Sequence, residues 1–366
     1  MRKKVLTAWL LVLCMCVGAL AGCGTKKENE TESQVQSETL AESAENTDQS
    51  ADTEAPADSD SAEGESEEVS ESLAVPSEVI NIGAMKGPTA MGMAQLLDDA
   101  NYNVSIVASP DEIVPMIVQG KVDIAAVPAN LASTLYQKTE QQVTVLAINT
   151  LGVLYIVENG ETITSVEDLK GKTIYASGKG ATPEYALNSV LKAHGIDPEA
   201  DVTIEYKSEH AEVVSALLAD RTAVGLLPQP FVTTALMKNE NLRVALDLNE
   251  LWESGSSDGS RLVTGVVIAK NEYLSEHKAD VEAFLQAYEQ SVDFVNEDIE
   301  AAAKIIGAHD IVAEEVAKKA IPQCSIVFID GDEMKTMLSG YLNTLFEQNP
   351  QIIGGQIPDD AFYYQR

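Results

Sequence analysis

Two loops in this 366-residue chain combine glycine, lysine and proline in a way suited to holding an anion. They are Met85-Lys86-Gly87-Pro88-Thr89 and Ser177-Gly178-Lys179-Gly180-Ala181-Thr182-Pro183. Glycine lets a backbone N–H approach a ligand closely, and proline suits the first turn of a helix. The free N–H groups and positive dipole end of a helix start favour a carboxylate, sulfonate or similar oxyanion. Lys86 and Lys179 would each add a positive charge; alternatively, both loops are only tight turns and both lysines face water. Ser109-Pro110-Asp111-Glu112 fits a capping box, so the Ser109 hydroxyl serves either its own helix or a ligand. Asn130 and Gln229 sit after strand ends and offer neutral amides to a polar head group, or else lie in solvated turns. Arg261 carries the planar fork that binds oxyanions bidentately, or it pairs with a carboxylate on the other lobe.

Other chemistries lack their residues. His194, His210, His277 and His309 are scattered, without metal-ligand spacing. No Ser-His-Asp set is evident, and the loop at Gly178 lacks P-loop spacing. No catalytic residue, metal or cofactor is expected. Tyr155, Tyr185, Phe231 and Trp252 are the aromatics available to stack on a flat ligand, and Glu184 could accept from an amine.

The elements that position these residues come in two copies. Ile113-Val114-Pro115-Met116-Ile117-Val118 and the strand Val122 to Pro128 reappear as Val213 to Leu218 and Ala223 to Pro228. Upstream, Val104-Ser105-Ile106-Val107 matches Val202-Thr203-Ile204, and Asn81 to Thr89 parallels Thr173 to Pro183. Each copy reads as βαβαβ, with near-continuously apolar strands of the kind a sheet covered on both faces requires. Two such units make two lobes, and ligands of open α/β sheets bind beyond the carboxyl ends of the strands. The expected class is therefore α/β and bilobed. Lobe 1 begins at 79–158, lobe 2 spans 159–262, and 263–366 returns to lobe 1 and adds C-terminal helices. Phe284, Ala287, Tyr288, Ser291 and Phe294 fall at three- and four-residue spacing, a core-facing stripe. Asn149, Thr150, Tyr155 and Arg261 lie near the expected hinge crossings.

The N-terminus reads as an export leader: Arg2-Lys3-Lys4, an apolar stretch from Val5 to Leu20, then Leu20-Ala21-Gly22-Cys23. Cysteine at the cut resembles a bacterial lipobox, which implies lipid on Cys23, residues 1–23 as the signal, and anchorage on the extracytoplasmic face of the cell membrane. Residues 24–77 are rich in Ser, Glu and Asp and almost without large apolar groups, the composition of a disordered tether. The formal net charge is −34, and the folded part stays strongly acidic without the tether. Nucleic acid is a poor partner for such a surface. Cys14, Cys16 and Cys23 all fall at the leader, so Cys324 is left alone and reads as a small buried hydrophobe.

Met85 to Thr89, Gly120 to Pro128, Asp168-Leu169-Lys170-Gly171-Lys172-Thr173-Ile174 and Pro228-Gln229-Pro230-Phe231-Val232-Thr233 together resemble the substrate-binding proteins of nitrate/sulfonate/taurine-type ABC importers. The resemblance covers nearly all of 79–366. It implies the type II periplasmic-binding-protein fold, and a monomer that captures a small anionic or zwitterionic solute for a membrane permease and its ATPase. Alternatives on the same scaffold are a tethered enzyme, a ligand sensor, or a binder of an aminopyrimidine, thiamine-precursor-like solute.

Overall fold

The structure, a computed structural model, describes residues 74–366. The lipidation candidate Cys23, the leader and the tether up to residue 73 lie outside the described residues. The fold takes up the chain slightly before residue 79. Pro76 is buried, and the Ser77 N–H and hydroxyl donate to the Asp280 carboxylate at 2.7 and 2.8 Å. The last residues assigned to the tether are thus fastened to the domain.

The first copy forms β1 (Ile80–Met85), α1 (Pro88–Met91), β2 (Tyr102–Val107), α2 (Pro110–Val118), β3 (Ile124–Pro128), α3 (Ala129–Lys138) and β4 (Val143–Thr150). After a three-residue crossing come β5 (Leu154–Asn159) and the second copy: β6 (Thr173–Ser177), α4 (Thr182–Ala193), β7 (Thr203–Lys207), α5 (His210–Ala219), β8 (Val224–Pro228) and α6 (Phe231–Lys238). Then β9 (Leu242–Asp247) and α7 (Leu248–Gly255) lead into the second crossing. The return comprises β10 (Gly265–Lys270), α8 (Asn271–Glu276), α9 (Lys278–Glu297), α10 (Ile299–Ala308), α11 (Glu314–Ala320), β11 (Ile326–Ile329) and α12 (Gly331–Gln348).

The strands make two sheets of matching order, β11-β4-β10-β3-β1-β2 and β7-β6-β8-β5-β9. β1 pairs in parallel with β2 and β3, as β6 does with β7 and β8. The next strand in each sheet is antiparallel and arrives by a crossing: β10 beside β3, and β5 beside β8. The boundary expected at residue 158 is thereby corrected, because β5 hydrogen-bonds to β8 and β9 and belongs to lobe 2.

Apolar burial explains the rest. Every residue of β4 and β5 is buried, as strands covered on both faces must be. On α9, Phe284, Tyr288 and Ser291 are buried at the predicted spacing, while Ala287 and Phe294 flank them half-buried. On α12, Met334, Leu338, Tyr341, Leu342 and Leu345 face inward. One apolar cluster runs through both lobes by way of Trp252 on α7 and Tyr341 on α12, whose rings lie 5.6 Å apart. The two crossings are bonded to each other, with the Thr264 hydroxyl donating to the Leu151 carbonyl at 2.5 Å. Among the described residues no helix is long and apolar enough to cross a membrane.

Candidate functional site

The carboxyl ends of β1, β3, β6 and β8 each turn directly into a helix, so the helix starts carry most of the predicted residues. In lobe 1, Gly87 holds φ +113, which a side chain rarely adopts, and a Cβ there would meet nothing within 4 Å. Its open face leaves the loop backbone approachable. The Thr89 hydroxyl donates to the Met85 carbonyl at 2.8 Å, and the Thr89 carbonyl accepts from Asn149 Nδ2 at 3.3 Å. Asn149 and Thr150, at the end of β4, are buried and bonded to each other at 3.2 Å. Space here is tight: a Cβ on Gly265, where β10 begins, would come within 2.5 Å of Asn149 Oδ1 and Thr89 Cγ2. Lys86 is exposed and has no ion-pair partner among the described residues.

In lobe 2, Ser177 ends β6 and is buried, its hydroxyl on Nδ1 of His210 at 2.5 Å. His210 opens α5 and packs on Phe231, ring centroids 4.9 Å apart. Burial holds the imidazole below its ordinary pKa, with the Glu209 carboxylate pulling the other way. Gly178 and Gly180 hold φ +77 and +76 and let the loop turn into α4, whose N-cap is Ala181. One anion already sits at this loop: the Gly180 N–H donates to the Glu184 carboxylate at 2.5 Å. Lys179 lies over the Tyr206 ring, 5.6 Å from its centroid.

The lobes meet through predicted residues. Thr182 donates to Asn130 Oδ1 at 3.4 Å, and Gln229 Nε2 donates to Gln323 Oε1 at 2.7 Å. The amide oxygen of Gln229 accepts from the Thr233 N–H and hydroxyl, which holds the amide in place. Tyr155 donates to the Gln323 carbonyl at 2.8 Å.

Some predicted groups are engaged elsewhere. Arg261 pairs with Glu253 at 3.0 Å, a carboxylate of the preceding helix α7 rather than one on the other lobe. The capping box expected at Ser109 does not form: its hydroxyl makes no cap bond, and the Glu112 carboxylate accepts from the Ala108 N–H at 3.1 Å rather than from that of Ser109. In the second copy the N-cap of α5 is Glu209, with no side-chain cap bond. His210 and Gln323 were missed. The repeat held the signal for His210, which matches Pro110 at the first position of α2. Gln323 has no counterpart in the repeat. No cluster of metal-ligating groups occurs among the described residues. A groove of about 740 Å³ lies outside this region, lined by Tyr185, Trp252, Asp258 and Gln348.

A family model described as NMT1/THI5 like matches residues 97–302, more than half of the chain. The chain belongs to the NMT1/THI5-like family. No curated protein matches it significantly. Among solved structures, this NMT1/THI5-like chain is similar to an ABC transporter structure from Parabacteroides distasonis, at 25% identity and TM-score 0.67, over 79% of this chain and 99% of that one. It is also similar to the periplasmic aliphatic sulphonate binding protein of Escherichia coli, at 16% identity and TM-score 0.61, over 79% and 94% of the two chains. A third is the ligand-binding component of an ABC-type import system from Staphylococcus aureus, at 16% identity and TM-score 0.55, over 78% and 98%. The fold of this family member is that of periplasmic binding proteins, as the resemblance in its sequence implied.

Proposed function

We propose that this NMT1/THI5-like protein captures a small solute between its lobes and delivers it to an ABC permease and its ATPase. The observation that supports this reading is that helix starts and strand ends of the two lobes touch, through Thr182–Asn130 and Gln229–Gln323, while Thr89–Asn149 and Ser177–His210 are bonded at strand ends within their own lobes. Such a seam can enclose a ligand only when the lobes come together. Its hydrogen-bonding groups are mostly neutral amides and hydroxyls, and Lys86 and Lys179 both lack an ion pair among the described residues. A solute with one compact anionic or zwitterionic head, such as a sulfonate, fits that economy, and one similar structure is named for aliphatic sulphonate. The same neutral amides and the His210–Phe231 pair would also serve an aminopyrimidine. Lipid on Cys23 would keep the domain at the extracytoplasmic membrane face, with the acidic tether as its leash; a monomer suffices for this job.

The Ser177–His210 bond favours one second reading, a hydrolase of the same scaffold. A nucleophilic serine needs a base oriented by a third group and an open path to substrate. Ser177 is buried, and no carboxylate bonds to His210 among the described residues. The pair is better suited to fixing the cleft wall. A thermal-shift panel of nitrate, taurine, alkanesulfonates, aminopyrimidines and short carboxylates tests the capture reading. A solute at a hundred times its dissociation constant adds about 2.7 kcal/mol, a rise of roughly 5 °C or more for a domain of this size. A flat panel on well-folded protein would count against this ligand class.

A further inference from the structure

The segment between α11 and β11 belongs to lobe 1 but reaches lobe 2. Ile321, Cys324 and Ile326 are buried in the lobe 1 core and root it there. Between them, Pro322 and Gln323 are exposed. An exposed glutamine is normally free in water, yet this one bridges the lobes: Oε1 accepts from Gln229 Nε2 at 2.7 Å, and its carbonyl accepts from Tyr155 at 2.8 Å. Two residues on, the Ser325 carbonyl accepts from the Leu151 N–H at 3.1 Å, and its hydroxyl donates to the Gly152 carbonyl at 2.9 Å. Both partners lie in the first crossing. Ser325 holds φ +45, a left-handed conformation that a non-glycine residue keeps only when its surroundings impose it. The turn is therefore pinned against the hinge on one side and against lobe 2 on the other.

The contrast with the opposite seam assigns the roles. Trp252 and Tyr341 are 5% and 0% exposed and belong to a continuous apolar core, which a moving joint would have to tear open. The Gln323 contact is polar, and although Gln229 is 2% exposed, Gln323 itself faces water, so opening the lobes exchanges this hydrogen bond for bonds with water.

We propose that Gln323 is a positioning residue whose side-chain bond to Gln229 latches the closed lobes and sets the closed-to-open ratio. This rests on the reading of the chain as a bilobed capture protein. Gln229 already stands in the candidate site, so the latch ties closure to the wall that a solute would touch.

Spin labels report the interlobe distance directly. Val118 and Leu218 are exposed, at 60% and 37%, and occupy matching positions of the two copies. The full chain would carry Val118→Cys and Leu218→Cys with Cys14, Cys16 and Cys23 changed to Ser; Cys324 is buried and stays unlabelled. Gln323→Ala and Gln323→Asn both lose the reach to Gln229, whereas Gln323→Glu keeps an acceptor oxygen. The expected result is a closed-to-open ratio lowered about fivefold in the Ala and Asn chains, the value of one net hydrogen bond. The Glu chain should match the parent, with melting temperatures nearly unchanged throughout. Superimposable distance distributions for parent, Ala and Asn chains would overturn the latch. If the Ala chain opens but no panel solute closes the parent, the latch stands and the capture reading fails.

Discussion

Gly340→Ala is expected to destabilise the protein, although alanine is the better helix former. Gly340 lies in α12, where exchanging glycine for alanine in an open helix would add about 1 kcal/mol of stability. Here the new Cβ would stand 2.5 Å from Ser260 Cβ, 3.2 Å from Asp258 Oδ2 and 3.3 Å from Ser260 Cα. Ser260 cannot retreat freely, since its N–H donates to Asp258 at 2.9 Å and its hydroxyl accepts from Trp252 at 3.2 Å. The Asp258 carboxylate that holds this turn also accepts from Ser256, and these bonds bring its pKa down to about 2. Forced contacts of this kind typically cost about 1–3 kcal/mol. Against the helix gain, the net is a loss of about 1 kcal/mol, or roughly 2–4 °C in melting temperature. Removing the obstructing side chain first, with Ser260→Gly, should reverse the sign, so that Gly340→Ala then stabilises. Calorimetric melts of the four chains of this cycle measure the coupling. A Gly340→Ala chain that melts higher than the parent would refute the close seating of the second crossing on α12.

Three further outcomes follow from buried groups. His210 is held below its ordinary pKa of 6.5, so the unfolded chain binds the extra proton and stability falls as pH drops below 6.5; His210→Gln should flatten that part of the profile, and equal slopes would contradict it. Glu158, 2% exposed, accepts from the N–H groups of Thr162 and Ile163 and from Arg243, so Glu158→Ala should cost about 2–4 kcal/mol in urea unfolding. A loss under about 1 kcal/mol would show that water replaces the carboxylate there. Cys324 is buried and its thiol is pushed up to about 12, so alkylating reagents should modify it only on unfolding; rapid native labelling would contradict that burial.

The fold was legible because it is written twice. Matching apolar strands and helices in the two copies defined the lobes, and the hydrophobic stripe on α9 named its own buried face. The lobe boundary was placed at 158, after β5 rather than before it, because a fully buried strand reads alike on either side of a crossing, and only its pairing with β8 decides. The candidate site was legible at the level of loops. The chain positions of Asn130, Thr182 and Gln229 led to the seam, since strand ends and helix starts converge wherever two such sheets face each other. Side-chain partners were not legible. Arg261 turned to Glu253, and Lys179 to Tyr206, through torsions that a residue's type does not specify. Gln323 lay beyond reach because it enters from the C-terminal return, outside the repeat that guided the rest.

Capture without turnover is the central claim, and one experiment addresses it directly. The panel solute that raises the melting temperature most is titrated calorimetrically into the full chain, incubated with it overnight, and recovered for mass spectrometry. The account predicts one molecule bound per chain, released unchanged on denaturation. Conversion of the solute to a product, at more than one equivalent per chain, would contradict it and make the Ser177–His210 pair the first place to look.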